Sequence, residues 1–289
     1  MSESSGLTLL AVLAHPDDET FGPGGTLALY AWRGVQVHLL CATRGEVGTV
    51  APELLAGYAS IGDLRQHELE CAAETLGLAG VHFLGYRDSG MPGSPDNAHP
   101  KALAAAPTEQ VAAAIVEWMR RVRPQVVITF DPIGGYRHPD HIACHKATVL
   151  AFQAAGDSAR FPGNLPPFQP SKLYFHTFRR PWLRHAIRLL PLFGQDPRRW
   201  GRNKDIDLVD IAQSQFPVHA RIDIRPVADR KERASACHAS QLMPRPRGLG
   251  RFVFRLSDAE EVYMRAVPPA AAGLKERDLF EGIGAPGRP

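Results

Sequence analysis

A histidine and three carboxylates lie close together near the start of the chain, in the segment Ala14–Glu19 (Ala-His-Pro-Asp-Asp-Glu). They directly follow an apolar run, Leu7–Leu13, that predicts a buried strand. We expect a strand end of this kind to place His15 and Asp18 close enough to share a divalent cation. The neighbouring Asp17 is then free to take a proton from a water molecule that the metal activates.

A second segment of the same character, Tyr136–His141 (Tyr-Arg-His-Pro-Asp-His), follows another apolar run, Val126–Phe130. Two strand ends that carry His and Asp supply three nitrogen or oxygen ligands and an open position, as a catalytic zinc site requires. Such ligands suit Zn²⁺, and Fe²⁺ or another divalent ion fits them as well. Spacing alone does not choose the ligand among His138, His141 and His145, because these residues share a helix face in pairs.

The elements that must position these segments can be predicted from an alternation of strand-like and helix-like periodicities. The predicted strands are Leu7–Leu13, Val35–Cys41, Val81–Leu84 and Val126–Phe130. The predicted helices are Gly24–Arg33, Ile61–Leu76, a helix from its N-cap Thr108 through Arg123, and His138–Ala154. This alternation predicts an α/β fold with a Rossmann-like, mostly parallel sheet flanked by helices. Ligands in such folds bind at the carboxyl ends of the strands, where both segments lie.

The pattern is weaker in the second half of the chain. Further elements are predicted there: strands at Leu173–Phe175, Arg221–Ile224 and Phe252–Leu256, a helix around Ala228–Ser240, and a short helix opened by a capping box at Ser257–Glu260. We therefore expect residues 1–155 to form the Rossmann-like catalytic core with both metal motifs. Residues 156–289 are expected to supply an insertion or lid and a C-terminal α+β extension that completes the same domain.

The composition is that of a globular protein without a membrane span. The chain has 289 residues, of which 44% are hydrophobic and 22% charged. No segment approaches the roughly 20 apolar residues that a span requires, and no Lys or Arg precedes the first apolar run, which argues against a signal peptide. The four cysteines are far apart and form no C-x-x-C pair: Cys41, Cys71, Cys144 and Cys237. We therefore expect a cytoplasmic protein without a disulfide framework or a zinc ribbon.

The two motifs His15–Glu19 and His138–His141, read as His-Pro-Asp-Asp-Glu and His-Pro-Asp-His, resemble those of the PIG-L/LmbE-like family of zinc-dependent N-deacetylases. Both match the family pattern without a substitution. The resemblance implies that His141 is the ligand that joins His15 and Asp18 on the metal.

The same resemblance implies roles for the residues around the second motif. His138 and Tyr136 are expected to handle the oxyanion and the leaving amine, because a tetrahedral oxyanion needs donors directed at it. Asp140 is expected to orient His138. Spacing does not divide proton donation between Tyr136 and His138.

Two other segments, Arg65–Glu68 and Tyr86–Met91, resemble the N-acetylglucosamine-conjugate deacetylases of mycothiol and bacillithiol biosynthesis. This resemblance implies that Arg65 and Asp88 hold sugar hydroxyls and that Met91 belongs to the substrate site. The alternative for Arg65 is a solvent-facing helix position. The expected reaction removes acetate from a GlcNAc-inositol or GlcNAc-malate conjugate and leaves the free glucosamine conjugate.

Other functions remain open on the sequence. A sister group of enzymes cleaves the larger amide of mycothiol S-conjugates, and eukaryotic members of the family act on a glycolipid. A non-catalytic, metal-dependent sugar-binding protein is the alternative from another class, although binding alone needs neither Asp17 nor His138. A dinucleotide site is excluded, because Gly22–Gly25 lacks the G-x-G-x-x-G spacing and Thr43-Arg44 stands where an acid is needed.

A basic segment, residues 179–204, contains eight Lys or Arg and one acid, Asp196. It contains a short amphipathic run that starts at Trp182. The segment fits a lid over the site, a subunit contact of a homo-oligomer, a membrane-surface element, or a solvated insertion. No nucleic-acid-binding motif accompanies the charge, so we expect no nucleic-acid partner.

Overall fold

The computed structural model describes residues 6–177, 187–201, 204–242 and 259–284 of the chain. The strands within these residues are β1 (Thr8–Leu13), β2 (Gln36–Thr43), β3 (Gly80–Tyr86), β4 (Val126–Phe130), β5 (Lys172–Thr177), β6 (Ala220–Asp223) and β7 (Glu260–Val267). The α-helices are α1 (Asp18–Phe21), α2 (Gly24–Trp32), α3 (Ile61–Leu76), α4 (Thr108–Val122), α5 (Gly134–Arg137), α6 (Pro139–Ala154), α7 (Leu208–Gln213) and α8 (Ala228–Cys237). Short 3₁₀ helices occur at Pro52–Leu55, Pro95–Ala98, Leu103–Ala105, Leu190–Phe193 and Arg225–Val227.

The strands form one sheet in the order β3-β2-β1-β4-β5-β7-β6. The first five strands of this order are parallel to one another, whereas β7 runs antiparallel to both β5 and β6. The predicted α/β fold with a mostly parallel sheet is therefore confirmed. Every residue of β4 and β5 is buried, as expected where parallel strands are covered on both faces.

The direction of strand addition reverses at β1, which pairs with β2 on one side and with β4 on the other. At such a reversal the connecting segments diverge and leave a crevice at the carboxyl ends of the two strands. β1 ends at Leu13 and β4 ends at Phe130. The topology therefore brings the two His/Asp segments to the same edge of the sheet.

Helix limits follow from local signals that the sequence carries. α3 spans the predicted Ile61–Leu76: the Ser60 hydroxyl accepts the Asp63 N–H at 3.1 Å, and Gly77 ends the helix with φ 80°. The prediction that Thr108 caps α4 is wrong, because Thr108 is already the first helical residue. Pro107 is at the N-cap position with φ −57°, and no side chain caps this helix.

The C-terminal part differs from the prediction. The predicted strand Phe252–Leu256 lies outside the described residues, as do Ser257 and Asp258 of the predicted capping box. Glu260 does not enter a helix, because it begins β7. Both edges of β7 are hydrogen-bonded to strands, and Glu261–Tyr263 are buried in the sheet, so tertiary pairing overrides the local capping pattern.

A disulfide joins Cys71 in α3 to Cys237 at the end of α8, with Cα atoms 5.8 Å apart. The cysteine spacing argued against a disulfide framework and did not predict this pair. The two cysteines are 166 residues apart in the sequence, and they meet because α3 packs against α8. Local spacing carries no sign of such a pair. Cys41 and Cys144 are free and buried.

The C-terminal strand also fixes the helix that follows the first motif. The Glu261 carboxylate accepts the N–H groups of Gly25 and Thr26, both at 2.8 Å, in the first turn of α2. Lys231 contacts the same carboxylate at 2.9 Å. A carboxylate at a helix N-terminus is stabilised by the helix dipole. Residue 25 must be glycine, because a Cβ there would lie 2.5 Å from Ile224 Cδ1.

In the part of the chain that the structure describes, no helix is long and apolar enough to cross a membrane. The basic segment 179–204 is only partly described, since 178–186 and 202–203 are outside those residues. The amphipathic run that begins at Trp182 therefore lies largely beyond the described part.

Candidate active site

The crevice between β1 and β4 brings together His15 and Asp18 from the first motif with His138, Asp140 and His141 from the second. The His15 and His141 ring centroids are 5.2 Å apart, and those of His15 and His138 are 4.5 Å apart. All of these side chains except Asp18 are buried. Residues more than 120 positions apart in the sequence thus form one buried polar cluster.

Hydrogen bonds fix which nitrogen of each imidazole faces the centre of the cluster. His15 Nε2 lies 3.1 Å from Asp140 Oδ2, and His141 Nδ1 lies 3.2 Å from the Gly134 carbonyl oxygen. Because both partners are acceptors, we assign the protons to these two ring nitrogens. The other nitrogens, His15 Nδ1 and His141 Nε2, then present lone pairs toward each other at 3.3 Å.

Asp18 completes a triangle with these two nitrogens. Its Oδ1 lies 3.3 Å from His141 Nε2, and its Oδ2 lies 3.5 Å from His15 Nδ1. Ligands of a tetrahedral zinc at bond lengths of about 2.0–2.1 Å are separated by roughly 3.3–3.4 Å. The three side chains therefore have the donor types and the spacing of one face of a tetrahedral site.

The electrostatics of this triangle favour a cation. Burial lowers the pKa of His15, but the carboxylates of Asp88, Asp140 and Asp18 more than offset it and raise the pKa well above its usual range. Burial raises the pKa of Asp18, yet His141 and His15 bring the pKa well below its usual range. Positive charge is thus stabilised where the lone pairs converge, so the residues fit a divalent metal.

Two overlapping groups also bring possible ligand atoms together: His15 with His138 and His141, and His15 with Asp88, His138 and Asp140. His138 is less suited to bind, because its Nδ1 accepts the backbone N–H of Asp140 at 3.2 Å. His145, the second histidine of α6, is directed elsewhere and contacts the Phe130 carbonyl oxygen at 2.9 Å. The geometry therefore favours His141 among the three histidines.

The second motif can approach the first because of a glycine turn before α6. His141 stacks on Phe130 with ring centroids 3.9 Å apart. Gly134 adopts φ +64°, and a Cβ there would lie 2.7 Å from the His141 Cβ. A side chain at position 134 would therefore collide with the first turns of α6 and displace His141, which explains the glycine at this position.

Asp17 lies beside the triangle with its backbone in an unfavourable conformation, φ 119° and ψ −29°. For a residue with a side chain, such backbone costs of the order of 1–3 kcal/mol and persists only where neighbours enforce it. Burial raises the pKa of Asp17 to about 6, although the Arg65 guanidinium opposes the shift. A carboxylate of this basicity beside a metal site is suited to accept a proton.

Arg65 is buried, so the solvent-facing alternative is wrong. Its guanidinium donates to the Pro16 carbonyl at 2.6 Å, to Asp17 Oδ2 at 3.0 Å and to the Gly45 carbonyl at 2.9 Å. Gly45 has φ +67°, and a Cβ there would lie 2.0 Å from Arg65 Nη1. Arg65 thus joins the loops after β1 and β2 and holds the Asp17 carboxylate in place.

The sequence predicted that the Asp140 carboxylate orients His138. In the structure this carboxylate has other partners. The carboxylate accepts the backbone N–H and the hydroxyl of Ser89, and its Oδ2 contacts His15. Only its backbone N–H reaches His138. The reason is geometric. His138 is the N-cap of α6 and its side chain accepts the backbone N–H of Asp140, while the Asp140 carboxylate is directed toward His15 at the end of β1.

His138 and Tyr136 border the same space as neutral donors. Burial lowers the pKa of His138 to about 2, and the neighbouring imidazoles of His15 and His141 add to the shift. With Nδ1 occupied by a backbone N–H, the proton of a neutral His138 lies on Nε2. Burial raises the pKa of Tyr136, and the Asp18 charge adds to the shift, so the phenol stays protonated. Its ring lies 5.9 Å from that of His138.

Asp88 lies near Nε2 of His15, whereas Nδ1 of the same ring faces the metal triangle. Its Oδ1 accepts the Gly90 N–H at 2.8 Å and is 3.5 Å from His15 Nε2, and its Oδ2 accepts the Val47 N–H at 3.3 Å. The half-buried Met91 follows in the same loop, whose backbone carbonyls accept hydrogen bonds from Asn97. The loop after β3 therefore belongs to the site.

Sequence reasoning did not identify four polar residues that support this cluster: Glu19, Ser89, Glu68 as a hydrogen-bond acceptor, and His238 as the partner of Glu19 on the far side of the first motif. His238 Nε2 contacts Glu19 Oε1 at 2.5 Å, and Ser240 donates to Glu68 twice, at 2.7 Å each. Glu19, Glu68 and Ser89 lie within the segments that the motifs marked, but residue type and spacing did not indicate their partners, and His238 lies outside those segments.

Comparisons with known proteins agree with this description. Residues 10–152, which contain both motifs, match a family model described as PIG-L: GlcNAc-PI de-N-acetylase. The chain is 37% identical over 296 residues to the 1D-myo-inositol 2-acetamido-2-deoxy-alpha-D-glucopyranoside deacetylase of Rhodococcus erythropolis, with 97% of this chain and 99% of that protein covered.

Two solved structures share the fold. One is the N,N'-diacetylchitobiose deacetylase from Pyrococcus horikoshii, with a TM-score of 0.61 and 20% identity over 90% of this chain and 83% of that one. The other is the 4-carboxy-2-hydroxymuconate hydratase from Pseudomonas putida KT2440, with a TM-score of 0.62 and 20% identity over 93% and 99%. Because one is named a deacetylase and the other a hydratase, the fold alone does not fix the reaction.

Proposed function

The chain belongs to the PIG-L family of de-N-acetylases, and we propose that it is a zinc-dependent hydrolase that removes the acetyl group from N-acetylglucosamine linked to inositol. The observation that carries the proposal is the triangle of His15 Nδ1, His141 Nε2 and the Asp18 carboxylate with Asp17 beside it. The inositol conjugate is the substrate in the name of the Rhodococcus relative, to which this chain is similar along almost its whole length.

In this proposal the water-activating half of the site is built from the first motif. A divalent metal held by His15, Asp18 and His141 would supply a Lewis acid that lowers the pKa of a water molecule to roughly 7. Asp17 accepts a proton from the attacking water while the water oxygen bonds to the acetyl carbonyl carbon. Arg65 keeps the Asp17 carboxylate directed at this point through its 3.0 Å contact.

The second motif supplies donors for the charge that develops. His138, neutral and with its proton on Nε2, and the protonated Tyr136 border the site where the carbonyl oxygen becomes an oxyanion. The carbon–nitrogen bond then breaks, the amine leaves with the proton that Asp17 accepted from the water, and the products are acetate and the glucosamine conjugate. Asp140 orients His15, which keeps the lone pair of Nδ1 directed toward His141 Nε2 in the triangle that would hold the metal.

The substrate sugar is proposed to lie against the loop after β3. Asp88 Oδ1 accepts the Gly90 N–H and faces His15 Nε2, whereas Oδ2 accepts the Val47 N–H and has a second lone pair that we assign to a sugar hydroxyl. Met91 is proposed to border the same pocket. The guanidinium of Arg65 is engaged with Asp17 and two carbonyls, so we assign it to the positioning of Asp17 in place of a sugar contact.

The test is amine release by the zinc-loaded protein from GlcNAc-inositol, GlcNAc-malate and a mycothiol S-conjugate, assayed side by side. We expect the fastest release from GlcNAc-inositol, with stoichiometric acetate. Release from the S-conjugate alone contradicts the proposal and identifies an amidase for a larger acyl group. Binding of a GlcNAc conjugate without release from any substrate identifies a sugar-binding protein. Metal analysis of protein purified from cells tests whether the bound ion is zinc. Cell fractionation tests the cytoplasmic location.

Replacing Arg65 by Met distinguishes the positioning role from the sugar contact that the sequence resemblance implies. If Arg65 positions Asp17, kcat should fall by about 100-fold with little change in KM, because a misplaced catalytic group costs of this order. A hydroxyl contact made equally in ground and transition states predicts a raised KM and an unchanged kcat. Steady-state kinetics separates the two results. Arg121→Met, which removes an exposed pair with Glu117, is the matched control.

A further inference from the structure

A buried ion pair joins the first motif to the C-terminal half of the chain. His238 Nε2 contacts Glu19 Oε1 at 2.5 Å, and both residues are completely buried. Among the described residues, His238 Nδ1 has no hydrogen-bond partner, so the imidazole makes this one polar contact. A buried pair of this kind adds little stability compared with well-packed apolar residues, and its presence needs another explanation.

The Glu19 carboxylate connects this pair to the backbone of Asp17. Its other oxygen, Oε2, accepts the Asp17 N–H at 2.9 Å. Asp17 is the residue with φ 119°, a conformation that its own chain does not favour. Glu19 therefore stabilises the unfavourable backbone at the residue whose carboxylate serves as general base, and His238 fixes the position of Glu19.

The turn that carries His238 is itself held firmly. It begins directly after Cys237, which is disulfide-bonded to Cys71 of α3. Ser240 donates its N–H and its hydroxyl to the two oxygens of Glu68, also in α3. One helical turn before Glu68, α3 carries Arg65, which contacts the Asp17 side chain. The Asp17 backbone and side chain are thus fixed by two routes that meet in the packing of α3 and α8.

We propose that His238 and Glu19 are positioning residues for the reaction, which hold the Asp17 backbone in the conformation that directs its carboxylate at the attacking water. This inference rests on the proposed function for the role of Asp17. It assigns a task to the C-terminal half of the chain, which contributes none of the proposed metal ligands. Neither residue touches the substrate in this proposal.

The test compares His238→Leu, which removes the donor, with His238→Gln, whose side-chain amide can still donate to Glu19. We expect His238→Leu to lower kcat by about 100-fold with little change in KM or bound metal. His238→Gln should recover most of that loss. Glu19→Gln keeps the size of the side chain but replaces one acceptor with a donor, and it should lower kcat like His238→Leu. His67→Gln, at an exposed position of α3, is the matched control.

Two results overturn the inference. The first is a His238→Leu protein that folds, binds metal and keeps the kcat of the wild type. The second is an equal loss of kcat in the Leu and Gln variants that follows their loss of thermal stability, since a purely structural role predicts no rescue by a donor.

Hydrogen exchange of the peptide that contains Asp17 gives a readout without turnover. Exchange should be faster in His238→Leu and Glu19→Gln than in the wild type and in His238→Gln. Equal exchange in all four proteins contradicts the positioning role. If the wild-type protein releases no amine from any conjugate, the proposed function fails, and this exchange pattern still decides whether the pair fixes the Asp17 backbone.

Discussion

Replacement of Asp17 by Asn is expected to lower kcat for amide hydrolysis by about 10²–10⁴-fold, the range typical of a lost general base. The substitution should remove proton acceptance at this position and little else. The amide oxygen of the new side chain can still accept from Arg65 Nη2, which lies 3.0 Å from Asp17 Oδ2 in the wild type. The position of the side chain is then preserved, while its ability to take a proton is removed. Bound zinc should not change, because Asp17 is not one of the three converging ligands.

The measurement is steady-state amine release together with metal analysis of the same preparations. Asp157→Asn, at an exposed position after α6, is a control for the loss of one carboxylate. An Asp17→Asn protein that hydrolyses the conjugate at the wild-type rate removes Asp17 from the mechanism. Loss of zinc together with activity assigns Asp17 to the metal site and contradicts its role as base.

Much of the framework can be predicted from the sequence because its signals are local. Ile61–Leu76 is bounded by Ser60 and Gly77, and β4 by Pro124 and the polar residues after Phe130, so these limits follow from nearest neighbours. The meeting of the two His/Asp segments follows from topology, since the carboxyl ends of parallel strands share one edge. The family that the two motifs predict is also the one that the comparisons show.

The contacts that these residues make could not be predicted, because their partners come from distant parts of the chain. Arg65 reaches Asp17 across 48 positions, and Asp140 reaches His15 across 125. Residue type gives no direction for such contacts: an Arg on an amphipathic helix is compatible with solvent, with a sugar or with a buried carboxylate. The sequence therefore predicts candidate residues at these sites, but it does not report their contacts, which are Asp17 for Arg65 and His15 for Asp140.

The disulfide and the strand β7 show the same limit at the level of packing. Cys71 and Cys237 are brought together by the packing of two helices, which no spacing rule reports. The pattern at Ser257–Glu260 fits a capping box, yet Glu260 pairs with Asp223 in the sheet. In both cases a tertiary contact decides the outcome between local alternatives, as expected for short segments with weak propensity.

The choice among three histidines of one segment leads to the second large effect. Replacing His141 by Ala is expected to weaken zinc binding by more than about 100-fold, beyond the loss typical when only a residue supporting a ligand is removed. Hydrolysis should disappear with the metal. His138→Ala should keep the metal and lose turnover, because His138 Nδ1 accepts a backbone N–H and its Nε2 carries a proton. His145→Ala should change neither, since that ring contacts the Phe130 carbonyl.

Calorimetric titration of the metal-free proteins with Zn²⁺ and with Fe²⁺, followed by amine release, measures all three variants on the same scale. The physical reason for the expected order is the lone-pair geometry. Only His141 is fixed by a carbonyl acceptor so that its free nitrogen lies 3.3 Å from both His15 Nδ1 and Asp18 Oδ1. If His141→Ala keeps zinc and His138→Ala loses it, the prediction is wrong and His138 is the third ligand. In that case His138 Nε2 would bind the metal together with His15 and Asp18. The ring proton of His138 would have to move to Nδ1, so Nδ1 could no longer accept the Asp140 N–H.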